Sequence, residues 1–239
     1  MKPHFFISMF PSSEYSQYGQ LVELEGREYL LLRWSDIRKM VPLLVDYVEK
    51  NYSPTKYIGV LRGGCTLTHL ITDYTDNHNM RAIRAELWDR IEGRMPNSSD
   101  LRITQGLSNE SLENDDVLIV EEVADTGITL EGIRLEISPR KPRNCKTATF
   151  YKKSHSRFTP DFYLFDIPGK IWIGFPWELY EITADALKEL LRIGYDKQEA
   201  RSIIAGNFEY LFDGLSGDDV INRADELLER SSIPKASSP

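Results

Sequence analysis

Two stretches of this chain carry residue types, in a spacing, that suit chemistry on a phosphorylated molecule. Residues 117–130 read VLIVEEVADTGITL: four apolar residues, the adjacent acids Glu121 and Glu122, a turn over Ala124-Asp125-Thr126-Gly127, and a helical pattern beginning near Thr129. Short Asp and Thr side chains bond local backbone, and glycine tolerates positive φ and the close approach of a ligand. The first N–H groups of a helix have no partner inside it, so a turn leading into one cradles an anion. A phosphate over the turn, with hydroxyls or a hydrated cation on the carboxylate pair, is the chemistry this order of residues suits. The second stretch is Leu61-Arg62-Gly63-Gly64, in which two glycines expose backbone N–H groups beside a fixed cation. Each stretch alone would also serve as an ordinary solvated connection, so the weight rests on their combination.

Such turns need strand ends and helix starts to hold them. Residues 117–120 and 56–61 are short apolar runs of the kind buried in a parallel sheet, and each stops at one of the two turns. Residues 20–33 alternate as a hairpin around Glu25-Gly26. Ser35 reads as a helix N-cap, with Ile37, Met40, Val41, Leu44, Val45 and Val48 at helical spacing; Pro42 inside that pattern predicts a kink or a later start. Residues 66–74 read as a short helix, and 81–88, 101–104, 147–151, 161–166 and 170–175 as strands. Arg84, in the first of these, faces either a phosphate or solvent. Strands alternating with helices as far as residue 150 predict an α/β fold with a doubly wound, mainly parallel sheet, whose ligands lie at the carboxyl ends of the strands.

Beyond residue 180 the pattern is helical only. Thr183 reads as the cap of a helix to Ile193, Asp196 and Glu199 as a capping box, and Asp218 or Asp219 as the start of a third helix. The expected organisation is one domain over residues 1–180, a helical C-terminal extension over 181–230 and a disordered tail over 231–239.

Composition narrows the partners. The 239 residues are 41% hydrophobic and 28% charged, with a formal net charge of −8. That balance argues against non-specific nucleic-acid binding, which displaces counterions with a positive field, so phosphate recognition has to be local. Cys65 and Cys145 have no metal-ligand spacing and no framework to staple, as in a reducing cytoplasm. His69, His78 and His155 likewise show no ligand spacing. The opening MKPHFFISMF is too briefly apolar for a signal peptide, and no stretch reaches the roughly 18 apolar residues of a membrane helix. A cytoplasmic protein with neither nucleic-acid nor membrane partners is expected.

With these residues in view, residues 117–130 resemble the phosphoribosyl-pyrophosphate (PRPP) motif of the type I phosphoribosyltransferases: a hydrophobic strand, two acids, two mostly apolar residues, then Asp-Thr-Gly-x-Thr. The resemblance implies that Glu121 and Glu122 hold the ribose hydroxyls, where most members have at least one Asp, and that Asp125, Thr126, Gly127, Ile128 and Thr129 wrap the 5′-phosphate. Leu61, Arg62, Gly63 and Gly64 are similar to the pyrophosphate loop of the same family, in which the first peptide bond is often cis. Residues 153–178, KSHSRFTPDFYLFDIPGKIWIGFPWE, resemble the base-binding part of the 6-oxopurine members, closest to the xanthine–guanine type. On that resemblance Trp172 stacks on the purine, the Ile173 backbone reads its edge, Lys153 meets its 6-oxo group, and Glu178 lies near an exocyclic group or a second Mg²⁺. Lys152 competes with Lys153, because a one-residue slip in a strand exchanges the face each side chain points to.

The activity implied is transfer of the phosphoribosyl group of PRPP to a 6-oxopurine (xanthine, guanine or hypoxanthine), giving a nucleoside 5′-monophosphate and pyrophosphate. Mg²⁺ would be held by Glu121, Glu122 and Glu178, Asp125 would act as general base, and the chain would form a homodimer or homotetramer. A flexible hood belongs in residues 89–114, without assignment to particular residues. Two other readings stay open: a non-catalytic PRPP- or nucleotide-binding regulator on the same fold, and a transferase for another base, against which Trp172 and Lys153 argue.

Overall fold

The structure, a computed structural model, describes residues 15–87, 97–107 and 110–232. The opening apolar segment, Trp88, most of the N-terminal half of the hood interval and the final residues from 233 lie outside the described residues. In chain order the elements are β1 (Gln20–Leu24), β2 (Arg27–Leu31), α1 (Trp34–Glu49), β3 (Lys56–Leu61), α2 (Gly63–Thr75), β4 (Met80–Leu87), β5 (Leu101–Gln105), β6 (Asp116–Val120) and β7 (Val123–Ala124). They continue with α3 (Ile128–Ile137), β8 (Asn144–Lys153), β9 (Phe162–Ile167), β10 (Trp172–Gly174), α4 (Leu179–Arg192), α5 (Lys197–Asn207), α6 (Glu209–Phe212) and α7 (Gly217–Ser232). The described residues fall into two compact units, one built on Arg38–Gly169 and the other on Tyr18–Ile37 together with the chain from Lys170 onward.

The first unit is an α/β fold around a seven-stranded sheet of order β5-β4-β3-β6-β8-β7, with β9 paired to β8. Among the described residues of this sheet only the β4–β5 pairing is antiparallel. Strands covered on both faces have no use for polar alternation, and β3 and β6 bury Tyr57, Ile58, Val60 and Val117 through Val120. Leu130, Ile133 and Ile137, at helical spacing on α3, close over Ile58, Val60, Ile83 and Ile119. In register, Lys56 lies opposite Val117 and Gly59 opposite Val120, so β3 and β6 finish side by side. At the opposite end of β3, the buried Lys56 ammonium bonds Glu110 at 2.5 Å and Asp115 at 3.0 Å. Arg81 bonds the same Glu110 carboxylate at 2.8 Å. Hydrogen bonds from Arg81 and then Lys56 hold the Glu110 carboxyl down at about 2.

The second unit sets a three-stranded sheet, β1-β2-β10, against the C-terminal helices. The β1–β2 hairpin turns at Glu25 and Gly26, with φ of 48° and 79°, the paired left-handed conformation that matches the twist of a two-residue hairpin. Strand β10 adds to β2 in parallel, Ile173 opposite Leu30. Val22, Leu24, Tyr29 and Leu31 share a core with Ile182, Leu187 and Leu190 of α4, Ile204 of α5 and Val220 and Ile221 of α7.

Helix boundaries depart from the sequence pattern where a side chain bonds in an unexpected direction. Helix α1 starts at Trp34, the Asp36 carboxylate accepting the Arg33 N–H at 2.8 Å, and it runs on through Pro42. Helix α4 starts at Leu179, four residues before the expected cap; Thr183 lies inside it, buried, its hydroxyl donating to the Leu179 carbonyl at 2.7 Å. The capping box at Asp196 and Glu199 is present. Among the described residues no helix is long and apolar enough to cross a membrane.

Candidate active site

The acidic turn begins where β6 ends. Glu121 and Glu122 are pinned through their backbones: the Glu121 N–H donates to the Ala148 carbonyl at 3.2 Å, and the Glu122 carbonyl accepts from Phe150 at 3.1 Å. Their backbone is thereby tied to strand β8. Burial pushes the Glu121 carboxyl well above the usual range, and the neighbouring Glu122 and Asp125 push it the same way. The turn continues through Asp125 and Thr126 to Gly127, which stands at φ 79° immediately before α3. Gly127 also lies close against the following loop: a Cβ there would lie 2.6 Å from the Phe158 Cβ and 2.7 Å from the Ser156 hydroxyl oxygen. That loop is tied back by the Arg157 N–H, which donates to the Thr126 carbonyl at 3.1 Å. Its guanidinium bonds both Glu131 on α3 and Ser98, each at 2.7 Å.

The second turn follows β3 with a cis peptide bond between Leu61 and Arg62. Helix α2 starts at Gly63, earlier than the pattern suggested, so both glycines belong to its first turn and their amides stand at a helix N-terminus. A Cβ on Gly63 would collide with the Glu122 carboxylate, and one on Gly64 would collide with the Val120 carbonyl and approach the Glu121 Cα. The glycine loop and the acidic pair are therefore in contact, brought together by the shared register of β3 and β6. Cys65, in the same turn, donates to the Gly59 carbonyl at 3.3 Å, and burial followed by the Glu122 charge pushes its thiol up to about 11. A thiol so far from ionisation at neutral pH is no nucleophile.

Asp125 is bonded at both of its oxygens. The Lys153 ammonium, at the end of β8, donates to Oδ2 at 3.0 Å, and the His155 Nε2 meets Oδ1 at 2.6 Å. Asp125 is half exposed whereas Lys153 is buried. The neighbouring Lys152 faces the other way, bonding Asp166 at 2.9 Å and lying 5.6 Å from the Tyr163 ring centroid. This opposition follows from the two-residue period of a strand. Sequence reading overlooked His155. It stands past the end of β8, in the turn that the Ser156 N–H closes on the Lys153 carbonyl at 2.9 Å, where strand alternation does not apply and no sequence pattern marks it.

Trp172, Ile173 and Glu178 belong to the second unit. Trp172 is 41% exposed, with the Arg27 guanidinium 4.7 Å from its ring centroid. Ile173 is buried in β10, and Glu178 closes the 3-10 turn Pro176–Glu178 before α4. Phe175 and Trp177 stack at 4.9 Å, and Trp177 also meets Trp34 at 5.8 Å, so both are packing residues of that unit. Arg84 is exposed and paired with Glu86 at 2.8 Å.

The chain is similar to known proteins of one family. A family model described as the phosphoribosyl transferase domain matches residues 36–181. The hypoxanthine-guanine phosphoribosyltransferase of Aquifex aeolicus is 28% identical over 161 residues, 64% of this chain and 88% of the relative. The protein of the same name from Streptococcus agalactiae serotype V is 26% identical over 182 residues, 75% of this chain and 94% of the relative. A crystal structure of the purine phosphoribosyltransferase from Pyrococcus horikoshii is similar with a TM-score of 0.53 and 27% identity, over 62% of this chain and 92% of that one. The match takes in both glycine-containing turns, the sheet that aligns them and Lys153, and the chain belongs to the phosphoribosyl transferase domain family.

Proposed function

We propose that this chain transfers the 5-phosphoribosyl group of PRPP to a 6-oxopurine, releasing pyrophosphate and the nucleoside 5′-monophosphate. The observation that carries the reading is the contact between the two turns: the Glu122 carboxylate lies against Gly63, so one molecule bearing both a pyrophosphate and a ribose phosphate can span them. In this reading the amides of the Gly63-Gly64 turn and the Arg62 guanidinium take the pyrophosphate. Residues 125–129 take the 5′-phosphate at the start of α3, and Glu121 and Glu122 take the ribose hydroxyls. Asp125 accepts the hydrogen bond or proton of the purine N7, and Lys153 turns to the 6-oxo group. For Trp172, Ile173 and Glu178, which belong to the second unit, a role at the base rests on the sequence resemblance alone.

The acidic pair suits Mg²⁺. Its donors are hard oxygens, and a divalent cation would favour the ionised form of the Glu121 carboxyl that burial and its acidic neighbours hold toward the neutral one. Among the described residues no three such side chains form a ready cage. Mg²⁺ commonly takes one or two carboxylates and completes its shell with water and substrate phosphates. When bound, it would neutralise charge developing on the leaving pyrophosphate.

The test is a turnover assay with PRPP and Mg²⁺ against xanthine, guanine, hypoxanthine, adenine, uracil and orotate, following nucleotide and pyrophosphate together. Turnover of a 6-oxopurine is expected. Asp125→Asn should lower kcat by roughly two to four orders of magnitude while PRPP still binds, the span typical of removing a general base. Silence of the unaltered chain on every base, with PRPP or a nucleotide bound, would replace this reading with that of a binding regulator.

A further inference from the structure

The geometry points to His155 as a positioning residue for the transfer, holding Asp125 in its working orientation while Lys153 is engaged elsewhere. This inference rests on the reading of Asp125 given above. Its physical basis lies entirely within the first unit. Asp125 sits on a half-exposed turn, and a carboxylate in such a place samples several rotamers unless something fixes it. Here each oxygen has its own partner, Oδ2 the Lys153 ammonium and Oδ1 the His155 ring. An ionised carboxylate only accepts, so at 2.6 Å the His155 Nε2 is the donor and carries the proton.

His155 is itself built in rather than draped over the surface. The Ser154 N–H donates to the Ile167 carbonyl at 2.9 Å, and the Ser156 N–H to the Lys153 carbonyl at 2.9 Å, which fixes the backbone on both sides of it. Behind the ring lies Gly169, whose N–H donates to the Ser154 hydroxyl at 3.1 Å. A Cβ at Gly169 would collide with the His155 Nδ1, so that glycine leaves room for the imidazole. The two anchors of Asp125 therefore differ in what they are free to do. When Lys153 turns to a purine oxygen, Oδ2 is vacated and faces the incoming base, whereas the bond from His155 to Oδ1 remains and keeps the plane of the carboxylate. Pre-orientation of this kind affects the rate of the step more than the binding of PRPP, whose 5′-phosphate is taken by the backbone amides of residues 125–129 and not by the Asp125 carboxylate.

The experiment compares the unaltered chain with His155→Leu, His155→Gln, Asp125→Asn and the double variant Asp125→Asn/His155→Leu, after circular dichroism confirms that each is folded. His155→Leu is expected to lower kcat about tenfold or more with the KM for PRPP within twofold. His155→Gln, whose amide can present a donor to Oδ1, is expected to recover most of the loss. In the Asp125→Asn background His155→Leu should cost nothing further, because His155 acts through Asp125. Full kcat in His155→Leu, or the same proportional loss in both backgrounds, would overturn the inference. A second readout is independent of turnover: a solvent-protected Nε2–H resonance of His155 in the unaltered chain that is lost in Asp125→Asn. Should the unaltered chain turn over no base, the proposed function fails on its own, and absence of that protected resonance would still refute the Asp125–His155 link.

Discussion

Gly127 combines a φ of 79° with a neighbour only 2.6 Å from where a Cβ would stand. An alanine there has to adopt left-handed backbone, at about 1–2 kcal/mol, and also push Phe158 away. Gly127→Ala is therefore expected to lower the melting temperature by several degrees and to weaken PRPP binding, measured by calorimetry in parallel. Glu110 is a residue of a different kind, paired with Arg81 and Lys56 far along β3 from the turns. Its carboxyl is held down at about 2, below the ordinary value of about 4.3, so its ion pairs stabilise the fold fully above that ordinary value. The contribution is lost as pH falls from about 4.3 toward 2. Glu110→Gln should lower stability at pH 7 and flatten the pH dependence of the urea midpoint across that acid window.

Among single residues, the acids and glycines were legible in the sequence because the chemistry of a phosphate site restricts residue type and spacing. His155 was not, since nothing local obliges a histidine after Lys-Ser to bond a carboxylate thirty residues upstream; a tertiary approach through Gly127 and residues 156–158 makes the contact.

At the scale of elements, strands β3 and β6 were readable from their apolar runs alone, and so was the C-terminal-edge position of both turns. The capping box of α5 was readable too. Asp196 accepts the Glu199 N–H at 2.8 Å and Glu199 accepts the Asp196 N–H at 3.2 Å, so Asp196→Ala should cost about 0.5–2 kcal/mol in a denaturant melt. The start of α4 was misread because threonine has two helical uses. It can cap, or it can return its hydroxyl to the carbonyl four residues back, and burial of Thr183 beside Leu179 selects the second. Strand β10 was seen as a strand but not assigned a partner. Three residues carry too little pattern to distinguish addition to the large sheet from addition to β2.

For the whole molecule, composition described an ordinary acidic globular chain, and the family match spans the part that holds the turns. What composition and periodicity could not reveal is that the second unit is discontinuous. Its hairpin comes from residues 20–31, whereas its third strand and helices begin at residue 172. A chain ending at residue 169 would keep the hairpin and lose every C-terminal partner of Val22, Leu24, Tyr29 and Leu31. Such a fragment is expected to bind an apolar dye and to aggregate on warming, whereas a fragment lacking the hairpin as well should show less of both; light scattering during a thermal ramp distinguishes them.

The same discontinuity fixes an order of events during synthesis. Strands β1 and β2 leave the ribosome well before their partners, since β10 and the helices that share their core are made some 140 residues later. At bacterial or eukaryotic elongation rates of roughly 5–20 residues per second, the hairpin waits on the order of ten to thirty seconds with an apolar face uncovered. The nascent chain thus carries an uncovered apolar hairpin until β10 and the helices after it have been made.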